Sequence, residues 1–448
     1  MQQIIHLNQN GNKLFKFIEN TYTTHEQLNH ILHEEKYNPQ LFDLAQGLVF
    51  RCHLVYYQQI SSNDLLSHKD LLIFNFHHAL FDFPSMNIFL HDLNQSYTTS
   101  QLLYDDNTNL RYLDYAVIEQ QMSMTGANMF WLDVLHDCKL DQPLPLPFDR
   151  YRLASEHRTG CGTCISFDFG QHLSHQFLTH ASSNNIPLEH LTFAIYFIFL
   201  FKLTNGQTDL CISININNNR YRDELKSIIG LFENIIPLRC QLDPHWSFHQ
   251  LLEHVQEITT HSMKYSYFPV QRILNQHPHI SQHAFLDTSL EFISYKNNNT
   301  VMIDDSQLVP GSFSFDITED EILGISDFSF SIHHDTNINQ LSCTINASLD
   351  LLNRETVEKI SQRFHFISHE LSASIVDNQM NKSIYELSLT LSSERLLMQS
   401  VNNTQVSFPC PVTCIHHEFV YQVMKHPQKL AVELDEQSLT YCELLYYV

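Results

Sequence analysis

Two imidazoles and a carboxylate lie close together at His77-His78-Ala79-Leu80-Phe81-Asp82, directly after Leu71-Leu72-Ile73-Phe74-Asn75-Phe76. An imidazole with a pKa near neutrality can take a proton from an attacking nucleophile, and a nearby carboxylate can hold the imidazole in place. The same residues can also be a satisfied histidine pair with no chemistry. A metal site is the weaker reading, since histidine ligands usually come from one helix face or from separated elements. Spacing alone leaves all three open.

The branched and aromatic run before the histidines predicts a buried strand that delivers them to its end. Successive strand residues point to opposite faces, so if the strand reaches the pair, only one imidazole faces a given cleft and the other is structural. A strand at Leu48–Val55 precedes this stretch. Apolar positions Ile88, Phe89 and Leu93 predict a helix over Asn87–Tyr97 after it. Further back, a short strand at Ile4–Leu7 and a polar helical stretch through Leu32 are expected.

His77-His78-Ala79-Leu80-Phe81-Asp82, with Ser85-Met86 and Leu90-His91-Asp92-Leu93 behind it, resembles the HHxxxDG core motif of nonribosomal peptide synthetase condensation domains. One position departs, because Phe83 stands where the family has glycine, a residue used for backbone freedom or close approach. Tyr112-Leu113-Asp114-Tyr115-Ala116 resembles the family's Y-x-D-Y-A segment. Ile229-Gly230-Leu231-Phe232-Glu233-Asn234-Ile235-Ile236-Pro237-Leu238-Arg239 resembles its I-G-x-F-x-N-x-x-P-L-R segment.

The resemblance implies an α/β fold of two chloramphenicol acetyltransferase-like lobes, mixed sheets flanked by helices, forming a V with a tunnel between them. Residues 1–155 would be an N-terminal lobe carrying the His motif and starting after the family's first elements. Residues 156–395 would be the C-terminal lobe. Residues 396–448, with Val401-Asn402-Asn403-Thr404, His416-His417-Glu418-Phe419 and Leu439-Thr440-Tyr441, resemble a linker and the opening of an adenylation domain.

The implied chemistry is amide formation between a carrier-bound acyl thioester and a carrier-bound amine. His78, His77 and Asp82 form the catalytic motif: His78 takes the amine proton or hydrogen-bonds the intermediate, and Asp82 is structural. Arg220 is implied to pair with Asp82, with Asn234 and Phe83 as supporting positions. The implied partners are donor and acceptor peptidyl carrier proteins with phosphopantetheine arms, and a downstream adenylation domain. No cofactor of the chain's own is implied. A degenerate remnant or docking module, and a His-rich metal-binding protein, are the alternative readings.

Composition limits these readings. The 448 residues are 43% apolar and 12% aromatic, ample for large cores. The net charge is −24, from 25 basic and 49 acidic side chains, and disfavours nucleic acid and an anionic membrane surface. The run Leu191–Phe201 is short of the roughly 20 residues of a membrane helix and predicts a buried helix instead. Ten scattered cysteines and no signal-type N-terminus point to a reduced, cytoplasmic setting. Cys161–Cys164 and Cys410–Cys414 with His416 and His417 have redox or zinc spacing, and neither is expected to serve it.

Overall fold

The computed structural model describes residues 16–38, 40–58, 67, 69–99, 110–151, 159–278, 280, 284–296, 301–303, 306–308, 326–376, 382–402, 415–434 and 437–447. The strand expected at Ile4–Leu7 and the cysteines Cys410 and Cys414 lie outside them. Two compact units result, Met1–Leu389 and Thr390–Val448.

The first unit begins with a three-stranded sheet in the order β1-β2-β3, formed by β1 (Lys16–Tyr22), β2 (Phe50–Tyr57) and β3 (Leu71–Phe76). β1 runs parallel to β2, and β3 antiparallel to it. Helix α1 (His25–Tyr37) starts at Thr24, whose side chain accepts the Gln27 N–H, a standard N-cap arrangement. Helix α2 (Phe83–Thr99) follows β3. Its Phe89 meets the rings of Phe50, Phe74, Phe76 and Phe81 at centroid distances of 5.0–6.5 Å. All five rings are half-buried, and β3 is half-buried throughout rather than the fully buried strand its composition predicts. It is the edge of its sheet among the described residues, and an edge has a neighbour on one side only.

The other side of β2 carries a buried polar cluster beside the apolar Val55. Glu35 of α1 bonds Arg51, takes Asn75 Nδ2 at 2.6 Å and sits 2.7 Å from His53 Nδ1, with Glu35, Arg51 and His53 all buried. Buried charge is tolerated where it is paired and hydrogen-bonded in this way.

Helices α3 (Tyr112–Gln121) and α4 (Thr125–Val134) lead to a six-stranded mixed sheet. Its order is β4-β11-β10-β7-β5-β6. Its strands are β4 (Gly162–Asp168), β5 (Asp209–Ile216), β6 (Asn234–Gln241), β7 (Thr288–Tyr295), β10 (Phe328–Asp335) and β11 (Gln340–Ser348). A small hairpin, β8 (Val301–Ile303) and β9 (Ser306–Leu308), lies between β7 and β10 in sequence. The helices are α5 (Gly170–Ser183), α6 (Leu188–Leu203), α7 (Phe248–Lys264), α8 (Val270–Asn275) and α9 (Arg354–Val376).

Burial alternates along β10 and β11: Phe328, Phe330, Ile332, Leu341, Cys343 and Ile345 are buried, while Ser329, Ser331, His333, Ser342, Thr344 and Asn346 are not. That period of two puts one apolar face into the core and leaves a polar face opposite. Helix α6 is apolar all round and buried nearly throughout, as such a helix must be. Among the described residues no single helix is long and apolar enough to cross a membrane.

The second unit holds α10 (Ser392–Val401), α11 (Ile415–Lys425), the antiparallel pair β12 (Leu430–Leu434) and β13 (Gln437–Thr440), and α12 (Tyr441–Tyr447). Thr440 and Glu443 cap α12 reciprocally, the Thr440 N–H donating to Glu443 at 2.8 Å and the Glu443 N–H to the Thr440 hydroxyl at 3.3 Å.

Candidate functional site

The two histidines diverge because the strand stops. β3 ends at Phe76, His77 is extended, and His78–Leu80 form one 3-10 turn. His77 caps that turn: its Nδ1 accepts the Ala79 N–H at 3.0 Å, and its ring meets Phe42 edge-on at 5.3 Å. His78 begins the turn and its side chain is 71% exposed. The two imidazoles do point different ways, but a turn rather than strand alternation separates them. His78 Nδ1 lies 3.2 Å from the Phe81 carbonyl oxygen and Nε2 lies 3.1 Å from Glu233 Oε2.

Phe81 then stacks on Phe76 at 3.8 Å, which turns the chain back over the sheet and delivers Asp82 to the start of α2. Asp82 accepts the Ser85 N–H at 3.0 Å and so caps that helix. Its side chain is fully buried. Arg220 grips it as a fork, Nη1 to Oδ2 at 2.7 Å and Nη2 to Oδ1 at 2.9 Å. The Phe232 N–H donates to Oδ2 at 2.9 Å, and Ser85 Oγ lies 2.6 Å from Oδ1. Burial alone would raise this carboxyl. The hydrogen bonds from Arg220, Ser85 and Phe232, with the guanidinium charge, outweigh burial and hold it below the usual carboxylate range.

Arg220 follows β5 and is itself held. Its Nη2 donates to the Ile228 carbonyl at 3.0 Å and to Ser85 Oγ at 2.9 Å, its Nη1 to Asn218 at 3.2 Å, and its plane lies 4.4 Å over the Phe232 ring. Ser85 also accepts the Gly230 N–H at 3.1 Å. A Cβ at Gly230 would overlap the Tyr112 ring, whose hydroxyl donates to the Leu231 carbonyl at 3.0 Å. Glycine is therefore required there for close approach. Three motifs far apart in sequence, at Asp82, Tyr112 and Gly230, thus meet at one point.

Asn234 braces the far side. Its Nδ2 donates to the Ser266 and Phe268 carbonyls at 2.6 and 2.8 Å, and its Oδ1 accepts the Val270 N–H at 3.2 Å. Phe83 imposes no backbone strain: it opens α2, is not among the residues of positive φ, and is 75% exposed. The departure from the family's glycine therefore meets no backbone demand, because this position is the first turn of a helix that any residue can enter.

Sequence reasoning missed two participants. Ser85 was in view only as part of a motif, although it bonds both Asp82 and Arg220. Glu233 sits at an unspecified position of the second motif, and its neighbour Asn234 drew attention instead. Burial raises the Glu233 carboxyl, His78 pulls it down, and the charges of Asp82 and Glu291 push it up, leaving it above the usual range. Glu291, on the polar sheet face, is bonded by Asn217 and by the Ser331 hydroxyl at 3.1 Å. Among the described residues, no group of three His, Cys, Asp or Glu side chains could hold a metal ion.

The site therefore has an exposed imidazole on a turn, a buried carboxylate–guanidinium clamp behind it, and a polar sheet face bearing Glu291. The chain is similar to bacitracin synthase 1 of Bacillus licheniformis, 24% identical over 418 residues, which cover 90% of this chain and 7% of that protein. It spans between 5% and 15% of the length of curated relatives it matches. In fold it is similar to a four-domain nonribosomal peptide synthetase bound to AMP and glycine, with a TM-score of 0.64 at 17% identity, covering 96% of this chain and 32% of that one. It is also similar to the X-domain from teicoplanin biosynthesis, with a TM-score of 0.65 at 19% identity, covering 83% and 81%. The condensation-domain family model matches residues 1–396, and the chain belongs to that family.

Proposed function

We propose that the chain forms amide bonds between an acyl or aminoacyl thioester on a donor carrier protein and an amine on an acceptor carrier protein, each presented on a phosphopantetheine arm. The observation that carries this reading is the contrast within six residues: His78 is open to solvent while Asp82 is sealed in the Arg220 fork. An exposed imidazole held on a fixed turn suits proton transfer to and from mobile substrates. A buried, charge-paired carboxylate suits support of the turn.

In the reaction the amine nitrogen attacks the thioester carbonyl carbon, the C–N bond forms, and the C–S bond breaks. His78 takes the proton lost by nitrogen and returns it to the departing sulfur, so one thioester and one amine yield one amide and one thiol. Holding both reactants beside His78 supplies much of the rate through proximity. The larger picture we infer is two lobes in a V, with the arms entering from opposite mouths of a tunnel between them.

Residues 396–448 are proposed as the opening of an adenylation domain. In support, the four-domain synthetase covers 96% of the chain, whereas the X-domain covers 83%. A cytoplasmic setting accords with this chemistry.

The experiment is to offer the chain acyl- and aminoacyl-loaded carrier proteins and detect amide product on the acceptor by mass spectrometry. Product that requires both loaded carriers supports the reading. Tight carrier binding without product would replace it with a docking role.

A further inference from the structure

His78 has an acceptor at each ring nitrogen. Nδ1 faces the Phe81 carbonyl oxygen at 3.2 Å, and a carbonyl only accepts, so Nδ1 carries hydrogen. Nε2 lies 3.1 Å from a carboxylate oxygen of Glu233, an ion-pair contact that favours a proton held at Nε2 or shared with that oxygen. Either way, the Nε2 lone pair needed by a general base is occupied at rest. Freeing it requires that this proton leave the pair.

We propose that Glu233 is a positioning residue for His78: it aims the imidazole through Nε2 and makes loss of the shared proton the step that arms the base. This rests on His78 being the base of the reaction proposed above.

The surroundings favour sharing over a fully separated ion pair. Glu233 is only 28% exposed, and the charged groups around it are Asp82 at the start of α2, neutralised by Arg220, and Glu291 on β7. His333 of β10 faces Glu291 in turn. Partial burial, with the charges of Glu291 and Asp82 behind it, disfavours a bare anion at Glu233 and outweighs the opposing pull of His78. His77, the other imidazole of the motif, is turned away onto Phe42. Glu233 directly precedes β6 and follows Phe232, whose N–H is bound to Asp82, so its backbone is tied to the same clamp that holds the His78 turn. The carboxylate and the imidazole are therefore fixed relative to one another by a single anchor.

Two readouts test the proposal. The first is the pH dependence of amide formation, using a weakly basic amine on pantetheine so that the acceptor's own titration lies outside the window. In Glu233→Gln and Glu233→Met the rising limb should move to lower pH, since each removes the carboxylate that holds the shared proton. A carboxylate with a purely structural role would lower the rate at every pH and leave the limb in place, and that result overturns the proposal.

The second readout needs no catalysis. In chain labelled with 15N-histidine, the His78 signals are assigned by their loss in His78→Ala. Nε2 should resonate as a proton-sharing nitrogen in the native chain and as a bare lone-pair nitrogen in Glu233→Met at the same pH, while Nδ1 stays protonated in both. An unchanged Nε2 signal overturns the proposal. If His78→Ala condenses as fast as the native chain, the base assignment fails, and the nitrogen signal still decides whether Glu233 holds the ring.

Discussion

The two sheets of the first unit are built in different ways. Around the six-stranded sheet, Phe328, Phe330, Tyr196, Phe199 and Phe364 interlock with exposures near zero, and the apolar cluster runs continuously through α5, α6, α7 and α9. The three-stranded sheet buries an apolar cluster of only Tyr22, Leu28 and Val55. It relies on half-buried phenylalanines on one face and the Glu35–Arg51–His53 cluster on the other. The turn bearing His78, the proposed base, belongs to the thinner region. Its fixed geometry comes from being bolted, through Asp82, to Arg220 and the Phe232 backbone of the denser one. The position of the His78 turn is thus set by packing elsewhere in the molecule.

Breaking the bolt should have the largest effect. Asp82→Ala and Arg220→Ala each leave a buried charge without its partner, at a cost of roughly 3 to 5 kcal/mol, and the double variant should be little worse than either single. Chemical denaturation of the four proteins measures this, and additive losses would mean that the two residues are held independently.

The next test compares the two regions directly. Phe330→Ala, in the dense core, should cost about 3 to 5 kcal/mol, and Phe76→Ala, on the half-buried face, no more than about half of that. Equal costs would erase the distinction between the sheets.

The bolt also has a pH signature. Asp82 has a depressed folded-state pKa, so its contribution is present above its unfolded value of about 3.9 and is lost as pH falls through the folded value. Acid unfolding followed by circular dichroism should therefore be less steep below about pH 4 in Asp82→Asn than in the native chain. The smallest effect is expected at His77. His77→Ala removes a side-chain cap on one short turn, a loss of about 0.5 to 2 kcal/mol read from thermal unfolding.

The legible parts of the site were those that the motifs carry. Arg220 and Asp82 were paired because the family resemblance implies that partnership, and Gly230 entered only as part of the second motif; its close approach to the Tyr112 ring is visible only in the fold. The polar helical stretch expected through Leu32 is in fact strand β1 followed by α1 from His25, because Lys16-Phe17-Ile18-Glu19-Asn20-Thr21-Tyr22 is mostly exposed and has no clean alternation to mark it as a strand. Helix α2 begins earlier than its apolar pattern suggests, because Asp82 was read for chemistry and also serves as its cap. Glu233 was illegible for a different reason: nothing in a strand-preceding glutamate announces a partner on another sheet, and only the fold brings it to His78.

The central claim is that an exposed His78, aimed by a buried clamp, moves the proton during amide formation. The direct measurement is the single-turnover rate of amide formation from loaded donor and acceptor carriers, in the native chain and in His78→Ala, with thermal unfolding recorded on the same samples. The account predicts a rate loss of about 10²- to 10⁴-fold with little change in unfolding temperature, since the His78 side chain is mostly in solvent. Equal rates in the two proteins, or a loss matched by unfolding, would contradict it.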